Sequence, residues 1–549
     1  MDPFVQDAPA RPDRLREDRP LRHALERLLP PDVWEEATPE LAEMAGLAAG
    51  ELPELQEVAE ADPPRHTPFD AWGRRVDRIE VAPAWTRLVA MGQERGVVAV
   101  PYEDRFGEHA RIVQMGLLSL YLPVTATADC PLAMTDAAAR VLLDHDPALA
   151  ERYVPRLVAR EDAWTSGQWM TEKEGGSDVG RTGTVARDRG DGTWTLHGTK
   201  WFTSATTADV ALALARPEGA PEGSAGLSLF LARLRARGGW NGITVRRLKD
   251  KLGTRALPTA ELDLDGTVAV PVGGLGRGVA KIAGMLNVTR LHAAAGSLGA
   301  AGYGLSLARD YAYRREAFGK RLADLPLHRA WIARVAAEYE GMNAMAFRSA
   351  QLIGEVERGG GTPELARVVV PLLKMSLARQ GVWATSHLIE SFGGAGYLED
   401  TGLPRLLRDA HVQSIWEGTT SVLALDTVRA LAGPGVTDAF LAEVEAKARA
   451  AGGPALDAPA ATILAAAGKL RDLMAAPDEG GARRLAWGMA RTHQAALVLE
   501  AAGWALDKHG DPNAAAALAL LTARPLVGTD PGVPDEALGR LAFGDGPPA

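Results

Sequence analysis

Along this chain the hydrophobic period runs helical, then strand-like, then helical again, and few folds accept that order. Residues 164–275 show the two-residue alternation of half-buried strands. Within them, TGTVARDRGDGTWTLHGTKWFTSA sets Asp191-Gly192 between two alternating runs, which predicts a β-hairpin. ADVALALARP, GLSLFLARL, GITVRRL and TAELDLDGTVAV continue the pattern to about 272.

The flanks read differently. Residues 61–163 hold PAWTRLVAMGQERG and MTDAAARVLLDH, apolar at three- and four-residue spacing, with a helix start expected near Asp136. Residues 276–432 hold three helical stretches longer than an average helix. Residues 1–60 form an N-terminal extension, a polar lead followed by short acidic helices. Gly433-Pro434-Gly435 breaks the chain, and 433–549 is an additional Ala-rich helical domain that ends in a Gly/Pro tail. The fold class is therefore α+β, mostly α. The order fits neither alternating βα units nor a repeat array.

A chain of 549 residues exceeds what one core usually serves, so several domains are expected. A net charge of −10 disfavours a nucleic-acid partner. The single cysteine, Cys130, permits no disulfide within one chain and reads as a buried small hydrophobe. The N-terminus has no apolar signal region, and no run approaches the ~20 apolar residues of a membrane span. A soluble, cytoplasmic protein is the expectation.

Five motifs invite chemistry, each with a plain structural alternative. Met170-Thr171-Glu172-Lys173-Glu174-Gly175-Gly176-Ser177-Asp178 offers backbone and hydroxyls to a flat or anionic ligand, or is a surface turn. Gly198-Thr199-Lys200-Trp201-Phe202-Thr203-Ser204 can stack on a ring, with Phe202 and Ser204 on one strand face, or is sandwich core. Arg315-Glu316-Ala317-Phe318-Gly319-Lys320 ends a long helix, as a pyrophosphate clamp or a basic cap. Gly393-Gly394-Ala395-Gly396-Tyr397 is a helix stop or a loop that lets a dinucleotide pass; no strand precedes it, so it is no Rossmann turn. Ile415-Trp416-Glu417-Gly418-Thr419-Thr420 offers Glu417 as a general base, or as a carboxylate near a helix start. The histidines show no metal-ligand spacing.

Taken together and in this order, the motifs resemble the acyl-CoA dehydrogenase superfamily over roughly 75–432. MTEKEGGSDV, KWFTS, RLKDKLG and SIWEG are similar in style to its AidB-like, alkylation-response branch. The resemblance implies an N-terminal helical domain, a middle β-domain and a C-terminal four-helix domain. It implies that FAD is bound. Met170, Thr171 and Ser177 would contact the flavin and pyrophosphate, and Phe202 and Ser204 the isoalloxazine. Arg315, Phe318 and the loop with Glu390, Gly393 and Gly394 would reach a neighbouring subunit's FAD. Thr419 and Ser421 would hold FAD beyond the base. Glu417 would take the α-proton of an acyl-CoA thioester while the β-hydrogen leaves as hydride to flavin N5. A homotetramer, built as a dimer of dimers, and an electron-transfer partner are implied as well.

The branch also offers a second reading: a flavin-containing protein that binds DNA or detoxifies alkylating agents. The segment from 433 onward carries ten basic and fourteen acidic side chains, so it is not a basic arm.

Overall fold

The computed structural model describes residues 7–529 and 532–543. The first six residues of the polar lead and the Gly/Pro tail from 544 lie outside the described residues.

The described chain opens with helices Arg14–Glu17, Arg19–Leu28, Pro31–Ala49 and Glu51–Ala61. A hairpin follows, β1 (Arg65–Phe69) paired antiparallel with β2 (Arg75–Glu80). Helical period was expected from 75, and β2 corrects it. Asp70 Oδ1 accepts from the backbone N–H of Trp72 and Arg74, and Gly73 takes φ +79°, so the chain reverses there.

Helix α1 (Asp129–His145) also corrects a boundary. Asp136 lies in its middle, fully buried, rather than near its start. The helix begins earlier because Pro131 fits a first turn, where its missing N–H is not needed. Asp136 has internal work instead. Its carboxylate accepts from Arg111 at 2.7 Å, Gln114 at 2.7 Å and His292 at 3.0 Å. His292 also bonds Asp129 at 2.9 Å. Burial alone would lower the imidazole, but the two carboxylates win and raise it to about 9.

The β-rich block forms β3 (Ser166–Trp169), β4 (Val185–Asp188), β5 (Trp194–Ser204), β6 (Val210–Pro217), β7 (Ser228–Arg233), β8 (Ile243–Leu248) and β9 (Thr259–Pro271). The expected hairpin across Asp191-Gly192 is β4–β5. Pairings β9–β5, β5–β4, β4–β6, β6–β7 and β7–β9 close five strands into a ring, with β8 and β3 added outside. Closure removes the open edges that these apolar strands would otherwise present. Leu212, Leu214 and Leu231 then pack on Val141 and Leu142 of α1, so the β-block is seated on the helical face.

Four helices complete the scaffold: α2 (Gly278–Arg314), α3 (Pro326–Glu357), α4 (Pro363–Glu390) and α5 (Leu403–Gln413), followed by α6 (Thr420–Leu431). Of the further helices, Ala482–His509 packs on α3 and α4, Val436–Ala450 on α4, and Asp457–Ala475 on Ala482–His509 and Val436–Ala450. Gln380 of α4 and Gln494 exchange side-chain hydrogen bonds where Ala482–His509 meets α4. The N-terminal segment is tied in as well: Arg14 donates to Tyr339 of α3, and Arg27 pairs with Glu500.

Candidate active site

Glu417 sits in the turn between α5 and α6, in the left-handed region at φ +56°, followed by Gly418 at φ +103°. Such backbone in a non-glycine residue costs about 1–2 kcal/mol and needs outside support. The support is visible. Thr289 of α2 donates its hydroxyl to Glu417 Oε2 at 2.8 Å. Lys374 of α4 donates Nζ to the Gly418 carbonyl at 2.5 Å. Arg290, beside Thr289, pairs with Asp426 of α6 at 3.0 Å, and Arg367 holds the other carboxylate oxygen at 2.7 Å. Three helices thus fix the turn, and one of them holds its half-buried carboxylate.

Lys374 is almost wholly buried, and burial pulls its ammonium down to about 7, against the pull of Glu417. Burial also lowers Arg290. Neither Thr289 nor Lys374 stood out in the sequence. Their partners lie 128 and 44 residues away, and no local pattern marks such pairs.

The first two motifs meet. Trp201 N–H donates to the Thr171 carbonyl at 3.0 Å, which joins the Gly-rich loop to β5. Beneath that junction Lys200 Nζ bonds Glu172 Oε1 at 2.6 Å, fully buried. Glu172 also accepts from Gly183 N–H and the Thr184 hydroxyl. Burial raises Glu172, but Lys200 and these donors more than offset it, and the carboxyl is lowered. This ion pair too was missed by sequence reasoning.

Met170 is buried at the loop's base, Thr171 half-buried and Ser177 exposed. Phe202 is 54% exposed. Ser204, half-buried, bonds Thr259 at 3.0 Å. Burial, with Asp129 second, pushes Cys130 up to about 12, which makes it an inert thiol. Thr419 and Ser421 are exposed at the N-terminus of α6, where the Thr419 side chain caps no backbone N–H.

Arg315, Phe318, Glu390, Gly393 and Gly394 gather elsewhere. Tyr311 near the end of α2 packs its ring tilted against Phe392, centroids 4.7 Å apart, which brings the two loops together. Phe318 is 95% exposed, and Glu390, Gly393 and Gly394 are exposed. Arg315 lies 26 residues beyond Thr289, about 39 Å along α2. Within one chain these residues do not meet Glu417.

The surfaces fit a flavin dinucleotide. An aromatic face stands open at Phe202, the Gly-rich loop is bonded to the same strand through Trp201 and Thr171, and an uncapped hydroxyl stands at a helix N-terminus suited to phosphate. No group of His, Cys, Asp and Glu among the described residues could hold a metal ion.

Comparison with known proteins gives a consistent set. Residues 7–162 match the adaptive response protein AidB N-terminal domain. Residues 167–267 match the acyl-CoA dehydrogenase middle domain and 276–432 the acyl-CoA dehydrogenase C-terminal domain. Acyl-CoA dehydrogenase family member 11 of Caenorhabditis elegans is 44% identical over 446 residues, covering 78% of this chain and 72% of that protein. The putative acyl-CoA dehydrogenase AidB of Escherichia coli K12 is 34% identical over 399 residues, covering 70% and 72%. The crystal structure of C. elegans ACDH-11 in complex with C11-CoA superposes with a TM-score of 0.93 at 38% identity, covering 96% of this chain and 94% of that one.

Proposed function

From the premise that this chain belongs to the acyl-CoA dehydrogenase family, on its AidB-like side, we propose that it binds FAD and dehydrogenates an acyl-CoA thioester with Glu417 as the base. The observation that carries this reading is the restrained carboxylate: Glu417 fixed by Thr289 at 2.8 Å, with its turn held by Lys374. A base so held spends little entropy finding its proton.

Glu417 takes the α-proton onto its carboxylate. The Glu417 N–H is the donor best placed in sequence to meet the thioester oxygen as charge develops, and such a contact is worth several kcal/mol. Met170, Thr171 and Ser177 hold the cofactor from the loop, Phe202 and Ser204 flank its ring system, and Thr419 and Ser421 bind toward its phosphates. Bound FAD supplies the hydride acceptor. The partner's Arg315, the partner's Phe318 and the partner's Glu390–Gly394 loop complete the site, in a dimer that pairs into a homotetramer. The 39 Å stretch of α2, together with exposed Phe318 and Tyr397, supports that arrangement. An electron-transfer partner reoxidises the enzyme.

The relative solved with C11-CoA supports a CoA thioester as the substrate class. A DNA-binding role is not favoured, because the segment beyond 433 has an acidic surplus.

Glu417→Gln is the decisive test. The variant should keep its yellow flavin spectrum and lose anaerobic bleaching by acyl-CoA, by at least ~10²-fold in rate. Bleaching at the wild-type rate would reject Glu417 as the base.

A further inference from the structure

The RLKDKLG segment, Arg247–Gly253, runs out of β8 and turns back toward β9. Two contacts with α5 hold the bend. Gly253 packs so closely that a Cβ there would stand 2.7 Å from the Arg408 carbonyl oxygen and 2.7 Å from Asp409 Oδ1. Thr254 follows in the left-handed region at φ +53°, and its N–H donates to Asp409 Oδ1 at 2.6 Å. Lys249 N–H closes the bend on the Thr259 carbonyl at 2.8 Å.

The bend carries Lys251 to the start of β9. Its Nζ donates to the Leu257 carbonyl at 2.7 Å and to Thr259 Oγ1 at 3.1 Å. Thr259 is the cross-strand partner of Ser204, and their hydroxyl oxygens lie 3.0 Å apart. Ser204 shares a face of β5 with the exposed Phe202. Polar groups thus run in a row, Lys251 to Thr259 to Ser204, from a half-buried cation to the face where a ring can stack.

The row has a direction. An ammonium can only donate, so Thr259 Oγ1 accepts from Lys251. Among the described residues the Thr259 hydroxyl has one other partner, Ser204 Oγ, and its hydrogen turns there. The Ser204 hydrogen is then free to point out of the sheet toward a ligand. Burial lowers the Lys251 ammonium to about 8, so it keeps its proton at neutral pH and the direction stands. Hydrogen bonds in a row polarise one another, and a charge at one end strengthens the donor at the other.

We propose that Lys251 is a positioning residue of the flavin site: acting through Thr259, it commits the Ser204 hydroxyl to donate to the isoalloxazine and so favours the reduced cofactor. The proposal rests on the placement of Ser204 against that ring. Hydride arriving on the ring brings negative charge with it. A fixed donor aimed where charge develops stabilises that state more than the neutral, oxidised one.

The test is the midpoint potential of the bound flavin, read by spectral titration of FAD-loaded wild type and variants. Lys251→Met should favour the oxidised cofactor by about tenfold, a drop of about 30 mV for a two-electron couple. Thr259→Val removes the middle hydroxyl and should give a similar drop. The double variant should fall no further than either single one, because both cut the same row. Lys251→Arg should recover part of the potential. Ser204→Ala tests the placement itself and should lower the potential at least as far as Lys251→Met. If Ser204→Ala lowers it while Lys251→Met and Thr259→Val stay at the wild-type value, the inference is overturned and the flavin placement stands. If none of the three moves it, both are overturned. Fully additive drops in the double variant would also overturn the inference, since separate effects add and a shared row does not. Thr259→Val and Ser204→Ala decide the matter if Lys251→Met does not fold.

Discussion

Glu417 is held through its neighbours more than through its own contacts. Its carboxylate has one described hydrogen-bond partner, Thr289, while the strained turn beneath it leans on Lys374. Replacing Lys374 by Met leaves the Gly418 carbonyl without its donor and frees the turn. The expected result is a kcat reduced by roughly 10–100-fold with a smaller change in KM, because an interaction that orients the base matters most in the transition state. Stopped-flow bleaching would show it, and Lys374→Arg should restore part of the rate. A pH signature accompanies the change. Burial holds Lys374 at about 7, below its unfolded value of about 10.4. Between those values the unfolded chain binds the additional proton, so wild-type stability relative to Lys374→Met rises with pH, by up to ~1.4 kcal/mol per unit. That contribution is complete above the unfolded value and is lost as pH falls through about 7. Paired urea denaturations across this window check the sign.

At the scale of elements, the Gly-rich loop is clasped to β5 by the Glu172–Lys200 pair, buried on both sides. Removing one member strands the other charge. Lys200→Met should destabilise by about 3–5 kcal/mol, and adding Glu172→Met should recover much of the loss. Chemical denaturation of the two variants decides it; equal losses would mean that the pair is not the clasp. The β-block itself was readable in advance, because Asp191-Gly192 and the alternating runs around it are local signals. The hairpin Arg65–Glu80 was not. Its second strand, RVDRIE, is short and mostly polar, and its turn depends on Asp70 reaching two backbone N–H groups. Asp136 misled for a related reason: Thr135-Asp136 looks like a cap, yet Asp136 belongs to Arg111 and His292, 25 and 156 residues away. The motif around Glu417 was visible because its members are contiguous, whereas the residues that restrain it come from other helices.

For the whole molecule, the predicted division of the flavin site between subunits has a clean genetic test. Glu417→Gln and Arg315→Ala should each be inactive alone. When the two are unfolded, mixed and refolded, hybrids contain one site with both wild-type residues, and activity should reappear in proportion to the hybrid fraction. Activity that stays absent in verified hybrids would place Arg315 and Glu417 on the same chain's cofactor, against the 39 Å along α2 between Arg315 and Thr289, the residue that holds Glu417.

One unbroken helix carries Thr289 in its first third and hands over to Arg315 at its C-terminal end. On the proposed division of the site, each copy would guard a prosthetic group it cannot clasp alone. Mass action makes colour a gauge of assembly: thinning the solution until copies part should let the yellow leach away, and concentrating it with free dinucleotide should bring the tint back.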